Sequence, residues 1–125
     1  MLLTKESAKK RTAPEKHPLV TGHEVYLKLH KTGAEQIEYR RRQRELDKSF
    51  DREAEDYDSV HHGMALFALK AQFYAVDKTG AQLFEGETAQ ELLDNYEYPL
   101  MDAVCIKVQE LEGADLTTSE AEKKY

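Results

Sequence analysis

The chain has 125 residues, of which 40% are hydrophobic and 34% charged, and its 24 acidic and 18 basic residues give a net charge of -6. This length fits one domain of about 100–150 residues, and the acidic balance disfavours binding to nucleic acid through the phosphates. Cys105 is the only cysteine, which excludes an intrachain disulfide, and no apolar run approaches the roughly 20 residues of a membrane-spanning helix.

The first part of the chain combines a polar segment with one strand. Residues 1–18 are basic and are interrupted by Pro14 and Pro18, a composition that predicts a flexible arm. Apolar and polar residues alternate over residues 24–30, which predicts a half-buried strand, alone or in a hairpin.

Two helices are predicted in the middle of the chain. Thr32 and Glu35 have the spacing of a capping box, so a charged helix is expected to begin there and to reach about Lys48. Residues 60–76 are apolar on nearly all sides, which predicts a central helix with Asp58 or Ser59 as its N-cap.

The remaining elements follow a turn at Asp77-Lys78-Thr79-Gly80. Leu83-Phe84 is expected to be an apolar anchor, and a second capping-box spacing at residues 88–91 predicts a short helix that ends near Asn95. A last helix is expected from Pro99 to Leu111, with Gly113 as its stop and residues 114–125 as a disordered polar tail. The sequence thus predicts a mainly α fold, a single helical domain at 19–113 of about four helices, with a short N-terminal strand or hairpin and a minor strand after the D-x-x-G turn.

No set of residues predicts catalysis, a metal site or a cofactor. His61 and His62 are adjacent, so on a helix their side chains diverge by about 100°, and we expect them to be solvated near the helix start. Cys105 lies between apolar neighbours and is expected to be a small buried hydrophobe. We therefore expect the protein not to be an enzyme.

The first predicted helix contains a basic cluster that could bind a partner, formed by Arg40, Arg41, Arg42 and Arg44. Acidic residues of the same helix lie at spacings that favour ion pairs, which is the simpler explanation. Contact with nucleic acid is the alternative, and it would make the protein a nucleic-acid-binding regulator.

Three stretches, taken in order, resemble the tail assembly chaperones of long-tailed bacteriophages. They are the strand and capped helix VYLKLHKTGAEQIEYRRRQ (25–43), the apolar helix with its turn ALFALKAQFYAVDKTGAQLF (65–84), and the two last helices ETAQELLDNYEYPLMDAVCIKVQELEG (87–113). The chain departs from the family where many relatives have Asn-Gly, since it has Glu112-Gly113, and its basic arm has no counterpart.

The resemblance implies a non-enzymatic protein of the infected host cell cytoplasm that is absent from the mature virion. It would hold the long helical tape measure protein soluble until tail tube subunits polymerise around it, and the tail tube protein is a second possible partner. A permanent structural subunit of the phage particle is a further alternative. Such a protein would cover exposed apolar stripes of its partner by helix-in-groove packing.

Apolar residues of the two apolar helices and of the anchor are the candidate partner-binding residues. They can equally belong to the core, and the sequence does not separate the two roles. These candidates are Met64, Phe67, Tyr74, Leu83, Phe84, Leu100, Val104, Val108 and Leu111.

The ends of the chain suggest two further expectations. Residues 1–31 have a net charge of +4 and residues 81–125 a net charge of -8. The simpler explanation is two differently charged solvated ends, and the alternative is head-to-tail association into a homo-oligomer. The resemblance also implies a longer form made by ribosomal frameshifting, and Lys123-Lys124 is compatible with a slippery codon run. The nucleotide sequence would decide whether that form exists.

Overall fold

The computed structural model describes residues 2–9 and 13–124, and for residues 114–124 it describes the backbone alone. The elements in chain order are β1 (Glu15–Pro18), β2 (Glu24–Leu27), α1 (Gly33–Ser49), α2 (Ser59–Tyr74), β3 (Ala75–Val76), α3 (Ala89–Asn95) and α4 (Tyr98–Lys124). The described residues therefore confirm the predicted mainly α fold with four helices and an N-terminal hairpin.

The hairpin begins inside the segment that was predicted to be a flexible arm. β1 pairs antiparallel with β2, with Glu15 opposite Leu27 and Pro18 opposite Glu24, so residues 15–18 are not part of a free arm. Gly22 takes a φ of 89° in the connecting turn, a conformation that favours glycine. The arm prediction failed here because the pairing partners and the edge position, where proline is tolerated, are tertiary features. Residues 1 and 10–12 of that arm lie outside the described residues.

The two middle helices begin where the capping patterns predict. The Thr32 side chain accepts a hydrogen bond from the Glu35 backbone N–H, and the Glu35 side chain accepts one from the Thr32 N–H, so both halves of the capping box are present. Asp58 caps α2 by accepting from the N–H groups of Val60 and His61. Satisfying these free amides fixes the first turn of each helix.

A tight turn follows α2 and returns the chain to the sheet. β3 pairs with β2 and is the minor strand; it precedes the turn, and the far side of the turn adds one bridge between Val76 and Gln82. Gly80 has a φ of 92°, and Asp77 Oδ1 accepts from the N–H groups of Thr79 and Ala81. This local chemistry is what the D-x-x-G pattern predicted.

The last helix is longer than expected. Its backbone continues through Gly113 to Lys124, so the predicted stop at Gly113 is wrong and the helix extends over residues 114–124 of the predicted tail. A glycine inside a helix costs only about 1 kcal/mol relative to alanine, and the alanine, glutamate and lysine residues that follow are good helix formers. Residue 125 lies outside the described part of the chain.

The core lies where α2 packs against α4, α3 and the sheet. Leu69, Phe73 and Val104 are all buried there. The hydrophobic cluster combines buried side chains from β2, α2, β3, α3 and α4. The charged helix α1 contributes only the half-buried Tyr39. The buried members of the cluster include Leu27, Ala68, Ala71, Leu92, Met101 and Val108.

Candidate functional site

An apolar cleft opens at the end of the sheet where the β1–β2 hairpin turns. It has a volume of about 110 Å³ and is formed by four parts of the fold: the hairpin, β3, the segment that follows the D-x-x-G turn, and the first turns of α4. Its apolar lining consists of Leu19, Val25, Ala75, Leu83, Phe84, Leu100 and Val104, with His23 and Glu24 at the edge. An apolar cavity of roughly 150 Å³ holds a benzene molecule, so this cleft has room for about one leucine side chain.

Backbone hydrogen bonds place the two anchor residues beside the sheet. The N–H of Leu83 donates to the carbonyl oxygen of Ala75 at 3.1 Å, which sets Leu83 next to the end of β3. The Phe84 ring is buried and contacts the Tyr96 ring at 4.9 Å between centroids. Leu83 remains 52% exposed, so it forms the mouth of the cleft, while Phe84 forms its wall.

Buried polar contacts fix the segment at 84–87, which begins with the anchor residue Phe84. Gln72 of α2 is fully buried, and its Nε2 donates to the carbonyl oxygens of Phe84 at 2.7 Å and Glu87 at 2.8 Å. Arg42 of α1 donates to Gln72 Oε1 and to the Glu87 carbonyl oxygen. Because buried carbonyl groups without partners are costly, these contacts fix the position of residues 84–87.

The cleft brings together four of the nine candidate partner-binding residues: Leu83, Phe84, Leu100 and Val104. Phe67 is exposed elsewhere on α2, and Met64 and Leu111 are half-buried. Tyr74 and Val108 are buried in the core, so they are not available to a partner in this conformation. Of the candidates within the cleft, Val104 and Phe84 are buried and line its inner wall, and Leu100 is half-buried.

The sequence interpretation missed the hairpin side of the cleft. Leu19, Val25 and Ala75 were not candidates, although the first two are the apolar residues that flank the turn of the hairpin. Hairpin pairing itself would have been the signal, because it places the residues on either side of a turn next to each other.

The expectation that both histidines are solvated is wrong for His62. This side chain is 2% exposed, its ring stacks on Phe50 at 4.4 Å, and its two nitrogens contact Tyr57 Oη at 2.8 Å and Asp47 Oδ1 at 2.7 Å. The loop between α1 and α2 folds back over the helix start and covers the ring, which the local sequence does not reveal. His61 instead contacts Gln90 at 2.8 Å.

Cys105 is buried, as expected, and its Sγ lies 3.1 Å from the Phe67 carbonyl oxygen. Burial raises the pKa of the Cys105 thiol to about 11, so the thiolate that a nucleophile needs is disfavoured near neutral pH. Burial also raises the pKa of Tyr39 to about 12, where its ring stacks on Phe73 at 4.1 Å.

Two arginines of the basic cluster have partners within the fold. Arg41 donates to Glu38 at 2.7 Å, which is one of the predicted ion pairs within the helix, and Arg42 supports the cleft segment as described above. The cluster therefore does not present four equivalent side chains to a phosphate backbone.

Within residues 2–9 and 13–113, no three His, Cys, Asp or Glu side chains come close enough together to hold a metal ion. Among the described helices, none combines the length and the apolar character that crossing a membrane requires.

No family model, no curated protein and no solved structure matches the chain.

Proposed function

We propose that the protein is a non-enzymatic assembly chaperone of a long-tailed bacteriophage, which binds the tape measure protein transiently through the apolar cleft. The proposal rests on the resemblance of residues 25–113 to that family and on one observation, the open cleft with Leu83 at its mouth. The expected site of action is the cytoplasm of the infected cell.

The size of the cleft suits a transient binder. A cleft of about 110 Å³ accepts one apolar side chain of a partner helix, and burying a leucine contributes only about 1.5–3 kcal/mol. Such a contact is weak alone and can be displaced by a growing tail tube. Many copies bound along one long helical partner would nevertheless keep that partner soluble, because each copy covers one stretch of its exposed apolar surface.

Co-expression with the tape measure protein tests the proposal. The tagged chain is expected to retain the tape measure protein in the soluble fraction and to co-purify with it. Leu83→Glu places a charge at the mouth of the cleft and is expected to reduce the recovered partner at least tenfold. Val60→Glu is the matched control, because Val60 is 66% exposed at the start of α2 and is not part of the cleft.

Two outcomes would overturn the proposal. One is equal recovery of the tape measure protein with Leu83→Glu and with the unchanged chain. The other is the presence of the chain in purified particles at a fixed copy number, which would make it a permanent structural subunit.

A further inference from the structure

The segment before the hairpin exposes apolar side chains that the chain itself does not cover. Leu2 is 88% exposed and Leu3 is 82% exposed. They precede an ordered turn in which the N–H of Thr4 donates to Ser7 Oγ at 2.9 Å and the N–H of Ser7 donates to Thr4 Oγ1 at 3.1 Å. This reciprocal pair restricts the backbone next to the two leucines, so less conformational entropy is lost when they bind.

This segment and the cleft lie at opposite ends of β2. Residues 7–9 lie beside His30–Gly33, which follow the carboxyl end of β2. The cleft instead includes Val25 near the start of β2 and Leu19 in the hairpin turn. In this conformation residues 7–9 therefore lie at the opposite end of β2 from the cleft of their own chain.

The charges around the two surfaces are complementary. Residues 79–106 contain six acidic residues and no lysine or arginine, and two of these acids, Glu85 and Glu97, are exposed close in sequence to the cleft residues Phe84 and Leu100. Residues 1–11 contain four basic residues against the single acid Glu6. A basic segment with two exposed leucines thus matches an apolar cleft whose residues 83, 84, 100 and 104 lie in an acidic stretch of the chain.

We infer that the cleft binds the Leu2–Lys9 segment of a second copy of this chain, with one leucine side chain inside the cleft and Lys5 facing the exposed acids Glu85 and Glu97. Lys9 is already paired with Glu6 inside the segment, at 2.9 Å. Because the donor segment and the acceptor cleft are different surfaces, the contact is head-to-tail and repeats from copy to copy. Such a contact closes into a ring or continues as an open chain. The inference goes beyond the proposed function and does not require it: it concerns the chain in the absence of the tape measure protein, which competes with this segment for the same cleft.

Complementation between two variants tests the inference by sedimentation velocity. Leu2→Ser combined with Leu3→Ser removes the donor, and Leu83→Glu blocks the acceptor; all three residues are exposed, so circular dichroism is expected to show an unchanged fold. The unchanged chain is expected to grow in mass with concentration. Each variant alone is expected to stay at the monomer mass of 14.4 kDa, and an equimolar mixture is expected to give twice that mass and no more.

The mixture separates this contact from other modes of association. A head-to-tail contact needs one intact donor and one intact acceptor, so only the mixture can form a dimer, and that dimer cannot grow. Ile37→Glu, on the exposed face of α1, is the control and should associate like the unchanged chain. The inference is overturned if the unchanged chain stays monomeric at millimolar concentration, if either variant associates alone, or if the mixture remains monomeric. Leu83→Glu changes the cleft in both experiments, so the donor variant separates the two proposals. It keeps the cleft intact and should recover the tape measure protein in full although it does not self-associate.

Discussion

Among the individual residues, Gln72 links the buried core to the wall of the cleft. It is the fully buried amide that accepts from Arg42 and donates to two carbonyl oxygens of the segment next to Leu83. A glutamine side chain buried among apolar residues lowers stability unless each of its polar atoms has a hydrogen-bond partner. Here each atom has one, and the consequence is a fixed wall for the cleft.

Gln72→Met keeps the side-chain volume but removes these hydrogen bonds. Two buried carbonyl groups and one guanidinium would lose a partner, so the free energy of unfolding is expected to fall by about 2–4 kcal/mol. Urea denaturation measures this change. Gln109→Met, at an exposed position of α4, is the control and should shift stability by less than about 0.5 kcal/mol. Equal stability of the two variants would mean that Gln72 does not support the segment.

Cys105 allows a second measurement at this scale. Because its thiol is buried and its pKa is raised to about 11, it is expected to be protonated and protected at pH 8. Labelling by iodoacetamide should therefore be at least a hundredfold slower in the folded chain than in urea. Rapid labelling of the folded chain would indicate that α4 separates from α2 readily.

At the scale of elements, two capping boxes determine where α1 and α3 begin. The first of them also carries an ion pair. Lys28, directly after β2, has its Nζ 3.0 Å from Glu35 Oε2 and so ties the end of the strand to the start of α1. Burial opposes the ionisation of Glu35, but hydrogen bonds from Lys28 and Thr32 outweigh it and lower the pKa to about 2. The ionised carboxylate thus stabilises both the helix start and its attachment to the sheet.

The stability due to Glu35 is expected to depend on pH. Its pKa is lower in the folded chain than the ordinary value of 4.5, so the contribution is complete above about pH 4.5 and disappears as the pH falls toward 2. The difference in unfolding free energy between the unchanged chain and Glu35→Gln should be about 1–2 kcal/mol at neutral pH and should shrink over that range. Glu55→Gln, in the exposed loop before α2, is the control. A difference that stays constant from pH 6 to pH 2 would contradict the role of the ionised form.

At the scale of the whole molecule, α2 is the element around which the others pack. It contacts α1, α3 and α4 and continues directly into β3, which explains why it is apolar on nearly all sides. α4 covers it through buried residues that include Met101, Val104 and Val108, while Ile106 on the same helix is 39% exposed. The stability of the fold therefore depends on one face of α4.

Val104→Asp and Ile106→Asp test that dependence as a matched pair. An unpaired charge at the buried position costs several kcal/mol, which is comparable to the total stability of about 5–15 kcal/mol of a typical domain, so Val104→Asp should abolish the cooperative thermal transition. Ile106→Asp should keep that transition with a loss of no more than about 1 kcal/mol. Circular dichroism during heating measures both, and similar melting curves would show that the packing face of α4 is assigned incorrectly.

The features that can be predicted from the sequence are those whose physical cause lies within a few residues. Both capping boxes, the Asp58 cap and the D-x-x-G turn appear as predicted, because a side chain there satisfies backbone groups of its near neighbours. The apolar character of residues 60–76 likewise predicted the central helix. The end of α4 was predicted wrongly, because a glycine only weakens a helix by an amount that the following residues can offset.

The packing of the elements, in contrast, sets which apolar residues form the core, which line a surface, and which polar residues are buried. Val108 and Leu100 belong to the same helical stripe, yet one is fully buried and the other borders the cleft. His62 is buried under the loop that precedes α2 and contacts Asp47 of α1, and Gln72 bonds Arg42 of α1 and the carbonyl oxygens of the segment at 84–87. The cleft itself joins residues from 19 to 104, and contacts over such distances along the chain depend on how the elements pack, which a local pattern of residues does not encode.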